Sequence, residues 1–178
     1  MVDPQARMDA AEPSHEGPIR IAFRARPARP NVPYHEQIAE ELEDELSLSI
    51  GKGLALIERD EAEPPQQIVQ AIASYIDEVR AGRARLPREA DVAALALACL
   101  LGQAVCRGLG WGWGHVRRTR SPGIVVISRD LRYAIGPRAV VDAALASDGG
   151  SAVLSLWKRL SAPERLPPSE PGRYRRIE

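Results

Sequence analysis

From residue 36 onward apolar side chains recur every fourth position, at Ile38, Leu42 and Leu46, with acids filling the other faces. That spacing predicts a helix over 36–46, and acids near its start suit the positive end of the helix dipole. Beyond it Leu46, Leu48 and Ile50 alternate with Ser47 and Ser49, Gly51-Lys52-Gly53 can turn the chain, and Leu54 and Leu56 follow. A period of two around a glycine-bearing turn favours a β-hairpin here over a helix broken at Gly51. Upstream, Ile19, Ile21 and Phe23 alternate with Arg20, Ala22 and Arg24, which predicts a short strand ended by Pro27, Pro30 and Pro33. Residues 1–17 are polar and without period, and read as disordered.

The middle of the chain is more regular. Pro64-Pro65 opens a helix over 66–82 whose stripe is Ile68, Ile72, Tyr75, Ile76 and Val79, with Gly82 at its end. A second helix over 88–109 carries Val92, Leu95, Leu97, Cys99, Leu100, Leu101, Val105 and Cys106 nearly round its circumference, so most of its sides are expected to be buried. The period then drops to two. Trp111, Trp113 and His115 share one face of a strand, Ile124–Ile127 is a β-branched run, and Leu131, Tyr133 and Ile135 alternate with Arg132 and Ala134. With turns at Ser121-Pro122-Gly123 and Ser128-Arg129-Asp130, these make a three-stranded antiparallel meander. Pro137 starts a helix over 137–146, Asp148-Gly149-Gly150 breaks it, and Ser151 caps a last helix with Val153, Leu154, Trp157 and Leu160. The expected fold class is α+β: the meander packed against helices, with an extra N-terminal helix and the hairpin. A single domain over 18–160 lies between the disordered segment and a Pro/Arg-rich tail over 161–178.

Composition narrows the function classes. The chain has 178 residues, which suits one domain with loose ends. Lys+Arg and Asp+Glu are both 24, so no global charge argues for nucleic acid or an anionic membrane. The balance is local: residues 36–63 hold ten acids against Lys52 and Arg59, a net charge of −8, and residues 111–178 carry +6. The two regions can pair within one fold, face a charged partner, or meet between copies of the chain in a homo-oligomer. Nearly all the bases are Arg, the pattern expected of codon bias. The start of the chain lacks the apolar core of a secretion signal, no run reaches the apolar length of a membrane span, and the helix over 88–109 is too rich in Ala for a good anchor. The expected location is the cytoplasm, with no membrane partner.

The chemistry-bearing residues are few. His15, His35 and His115 are not spaced as ligand pairs, and Cys99 and Cys106 are two helical turns apart with no CxxC, so neither metal nor cofactor is expected. Both cysteines read as small core residues. No GxSxG elbow is present, and Gly51-Lys52-Gly53 lacks the upstream glycine and the Ser or Thr of a phosphate loop. No catalytic residue is assigned. Gln103 stands in an apolar helix beside Gly102, and a buried amide needs partners; the backbone of the meander is the expected one. A small enzyme with a site near Gln103, Trp113 and His115 is one alternative function. A nucleic-acid module using Arg117, Arg118, Arg120 and Arg173–Arg176 is another, disfavoured by the neutral total. Arg20, Arg24, Arg26 and Arg29 read as a solubilising linker.

At residues 92–145 the order is an Ala/Leu-rich helix ending LLGQAVCRGLGWGW, a strand, then PGIVVISRDLRYAIGPRAVVDAAL. This resembles a family of small bacterial domains of unknown function, built as helix, Gly–acid step, LGW, hairpin and final helix, and seen around secretion and toxin–immunity loci. Gln103 stands where that family carries an acid. The resemblance implies no reaction. It implies an interaction protein, and the acidic segment supplies a surface. The expected function is a non-enzymatic, immunity-type or secretion-associated binder. It would occlude a basic surface of a protein partner, such as a toxin or secretion component, through Glu40, Glu41, Glu43, Asp44, Glu45, Asp60 and Glu61.

Overall fold

One uninterrupted helix, α1 (Glu40–Ile57), occupies the segment where alternation favours a hairpin. The reason lies in which face needs burial. Leu46, Ile50, Gly53 and Ile57 follow one another at spacings of four, three and four, and all are buried. Leu48, which a strand would place beside Leu46 and Ile50, is instead 62% exposed. Gly53 marks a close approach between helices: a Cβ there would lie 2.6 Å from the carbonyl oxygen of Ala96 and 3.0 Å from the Leu100 Cβ. The glycine that suggested a turn therefore serves helix packing.

The computed structural model describes residues 35–36, 40–116, 123–171 and 174–177. All belong to one compact unit, Asn31–Glu178. The expected disordered segment 1–17, the strand over 19–23 and the loop arginines Arg117, Arg118 and Arg120 lie outside the described residues. Three further helices follow the periodicity closely. They are α2 (Pro65–Arg80), α3 (Ala90–Leu109) and α5 (Gly150–Leu160). Pro65 stands at the first turn of α2, where its missing N–H costs no hydrogen bond, and Ile68, Val69, Ile72, Ala73 and Ile76 face inward. α3 ends on Gly110 in the left-handed conformation (φ 68°), its N–H bonded to the Cys106 carbonyl at 3.0 Å.

Contrary to the expectation from the sequence, α3 is long and apolar enough, by length and composition alone, to cross a bilayer. Here most of the helix is enclosed, with Ala93, Ala94, Ala96–Gly102, Ala104 and Val105 all buried, while Val92 and Leu95 are exposed. The helix expected over 137–146 divides into α4 (Pro137–Ala143) and a π-helical turn, Ala144–Asp148. Ser151 does not cap α5. The N-cap is Gly149, with no side-chain cap, and Asp77 of α2 accepts a hydrogen bond from the Gly150 N–H at 2.8 Å.

The sheet has five strands in the order β1 (His35–Glu36), β2 (Gly112–Val116), β3 (Gly123–Ile127), β4 (Tyr133–Ile135) and β5 (Arg175–Ile177). The meander β2-β3-β4 is present, with Trp113 opposite Val126 and Val126 opposite Ile135. It is not the whole sheet: β1 extends it antiparallel, and β5 joins β4 in parallel, so the sheet is mixed. The segment 161–178, expected as a tail, is thus tied into the fold. Leu166 and Ile177 are buried, the Tyr133 hydroxyl donates to the Pro167 carbonyl at 2.9 Å, and the Ser169 hydroxyl donates to the Arg132 carbonyl at 3.0 Å.

Two apolar layers result. One lies among the helices, around Leu97, Leu101, Ile72, Ile76 and Val153. The other lies between sheet and helices, around Val105, Val126, Ile135, Leu156 and Ile177, and Trp113 and Trp157 touch both.

The β3–β4 turn depends on one hydroxyl. Ser128, itself buried, accepts hydrogen bonds from the N–H groups of Arg132 (3.1 Å) and Tyr133 (2.9 Å) and donates to Asp130 at 2.6 Å. Leu131 adopts a left-handed φ of 58° within this turn. Ser128→Ala leaves the Tyr133 N–H without its acceptor, while Arg132 keeps Asp130 at 3.2 Å, and should lower stability by about 1–2 kcal/mol, read from the midpoint of urea unfolding. A change under about 0.3 kcal/mol would show that the turn is set by other contacts.

Candidate functional site

The acidic segment is divided by the structure. Glu43, Asp44 and Glu45 are exposed on the first half of α1. Asp60 and Glu61 follow its far end, about 20 Å away along the helix axis. The side chains of Glu40 and Glu41 lie outside the described set. Asp60 is also committed locally. Its carboxylate accepts from the Ala62 N–H at 2.8 Å, and its own N–H donates to Glu63 at 3.1 Å. Arg59 reaches Glu63 at 3.5 Å, and the Arg107 guanidinium of α3 donates to the carbonyls of Glu61 and, at 3.3 Å, Glu63. Asp60 and Glu63 therefore shape the loop after α1, where Glu58 takes a left-handed φ of 53°. Among the described acids, Glu43, Asp44 and Glu45 thus stand apart from Asp60 and Glu61.

What remains exposed on α1 is a mixed surface. Asp44, Leu48, Gly51 or Lys52, and Ala55 succeed one another at helical spacing, with Glu43 and Glu45 on either side of that line. Leu48 stands out from the surface, and nothing lies within 4 Å of where a Cβ on Gly51 would be. The face thus carries acids at one end, a projecting leucine in the middle and an open step beside it.

The constellation of Gln103, Trp113 and His115 is drawn together only in part. The Trp113 indole N–H donates to the Gln103 side-chain oxygen at 3.3 Å. The ring lies directly over Gly102, where a Cβ would fall 2.1 Å from the ring Cη2. The amide therefore finds its partner in an indole and not in strand backbone. His115 follows two residues later on β2, half-buried, opposite Ile124 of β3 and in register with Glu36 of β1. Trp111 precedes the strand and packs against the sheet-side core. These contacts join α3 to the sheet, and the two cavities described next do not include them.

A polar cavity of about 670 Å³ lies between the end of α1 and α2, walled by Glu58, Arg59, Gln67, Ser74, Tyr75 and Glu78. A second, of about 550 Å³, lies among α4, α5 and β5 and is largely apolar. Among the described residues no three His, Cys, Asp or Glu side chains come together as a metal site would require. Of the arginines expected as a C-terminal basic cluster, Arg175 and Arg176 are described. Arg175 donates to the Pro168 carbonyl at 3.4 Å, Arg176 lines the second cavity, and Arg173 is outside the described residues.

Burial disarms both thiols. It pushes Cys99 up, although a hydrogen bond with Ser49 opposes this, and raises Cys106 to about 12 from an ordinary value of 9.0. Neither thiol carries the thiolate that nucleophilic chemistry needs near pH 7. The linkage follows in sign: the native state holds the Cys106 proton more tightly than the unfolded chain does. Its contribution is complete below pH 9 and is lost as pH rises toward about 12. Iodoacetamide at pH 8 should leave Cys106 unmodified in the native protein and label it in urea. Rapid labelling of the native protein would contradict the burial.

The chain matches no family model, no curated protein and no solved structure.

Proposed function

We propose that this protein is a non-enzymatic interaction module that docks on a basic protein surface through the exposed face of α1. The observation that carries the reading is Leu48, 62% exposed among Glu43, Asp44 and Glu45. Among the described residues Leu48 is the most exposed large apolar side chain, ahead of Leu95 and Leu154 at 41% and Val92 at 40%. A docking face uses the acids to steer a basic partner and the leucine, beside the open step at Gly51, to anchor it. Support also comes from the disarmed thiols and from Gln103 being spent on an indole. The resemblance of residues 92–145 to small domains found around secretion and toxin–immunity loci favours an immunity-type or secretion-associated partner. Asp60 and Glu61 are not part of this surface.

The test is affinity capture from cells of the source organism with three baits: the wild type, Leu48→Asp, and Glu43→Lys/Asp44→Lys/Glu45→Lys. A partner retained by the wild type should bind Leu48→Asp at least about tenfold more weakly. The triple reversal should slow its association and remove most of the salt dependence. Equal retention by all three baits would exclude this face.

A further inference from the structure

We infer that the cavity among α4, α5 and β5 is a binding site for a small amphiphilic carboxylate. Its volume of about 550 Å³ falls in the range of small-molecule sites. Val140, Ala152, Leu156 and Ile177 give it an apolar lining, and Arg159 and Arg176 bring two guanidinium groups to it. A ligand matched to it has an apolar body and an anionic head that an arginine can grip through paired N–H donors. Each guanidinium has five such donors, so an existing partner leaves capacity for a ligand oxygen.

Two features of the chain shape this site. Gly136 lets the Arg176 side chain lie against the entry to α4: a Cβ on Gly136 would stand 2.9 Å from Arg176 Nη2. Arg176 is exposed, so its guanidinium stands at the mouth of the cavity, open to a ligand from solvent. A π-helical turn, Ala144–Asp148, follows α4 and is closed by Gly149 at a φ of 71°; of its residues Asp148 lines the cavity. Wide turns of this kind insert a residue into a helix and recur at binding sites. Here the turn brings Asp148 to the cavity. A carboxylate there opposes a doubly charged head, so a monoanion is favoured over a phosphate ester. This site is separate from the α1 face and does not depend on it.

The test uses the full chain and isothermal titration calorimetry with n-octanoate, octan-1-ol and octyl phosphate as probes. Octanoate should bind saturably at one site. Octanol, with the same body and no charge, and octyl phosphate should each bind at least about tenfold more weakly. Arg159→Gln and Arg176→Gln should each weaken octanoate by about tenfold, and Ala152→Phe, which fills the cavity, should remove binding. Circular dichroism and thermal midpoints establish that the variants are folded. No saturable octanoate binding at millimolar concentration would overturn the inference. So would octanol or octyl phosphate binding as tightly as octanoate, or octanoate affinity unchanged in both arginine variants.

Discussion

Gly150→Ala should destabilise the protein by about 3 kcal/mol, the upper end of ordinary overpacking. Gly150 opens α5 against α2, and a Cβ there would fall 2.1 Å from the Ala73 carbonyl oxygen, 2.6 Å from its carbon and 2.8 Å from its Cα. All three are backbone atoms of α2, so no side chain can rotate out of the way. The methyl group must separate two helices whose facing residues, Val69, Ile72, Ala73 and Val153, are wholly or almost wholly buried. It would also pull the Gly150 N–H from Asp77, now 2.8 Å away. The thermal midpoint should drop by roughly 6–12 °C. Asp77→Ala, which removes only the acceptor, should cost about 1 kcal/mol. A loss under about 1 kcal/mol for Gly150→Ala would mean that α5 docks on α2 differently.

The second large effect is expected at Gly102. An added methyl would meet the Trp113 ring at 2.1 to 2.9 Å across three ring atoms. The ring is carried by β2, bonded to Gln103 and packed against both apolar layers, so displacing it disturbs both. Gly102→Ala should cost about 2–3 kcal/mol and shift the tryptophan emission toward the red. Gln103→Ala alone should cost about 1 kcal/mol. Combined, the two should fall short of their sum, because the first already breaks what the second removes. Strict additivity would show that the indole and the amide are not coupled.

The parts of the fold that repeat in the sequence were readable there. α2 and α3 follow from their stripes, with Pro65 opening the first, and the meander follows from alternation at Trp111, Trp113 and His115, the run Ile124–Ile127, and alternation at Tyr133 and Ile135. The misreading of 46–56 came from a coincidence: Leu46 and Ile50 satisfy a helical spacing of four and a strand spacing of two at once. Only the exposure of Leu48 separates them. β5 left almost no trace, because Arg175-Arg176-Ile177 has one apolar residue and joins β4 through backbone pairing. The division of the acidic segment was equally hidden. Net charge counts residues without regard to face, and Asp60 is drawn into a turn whose partners come from Ala62 and Glu63. Of the candidate sites, the need of Gln103 for a partner and the small size of Gly102 were legible, while the identity of the partner, an indole ten residues on, was not.

The central claim is that α1 works as an outward surface. Its most direct test is amide hydrogen exchange on the purified complex with whatever protein the wild type retains and Leu48→Asp does not. Slowed exchange in α1 around Glu43–Lys52, with the sheet exchanging as in the free protein, is the predicted result. Unchanged exchange along α1 with protection elsewhere would contradict it.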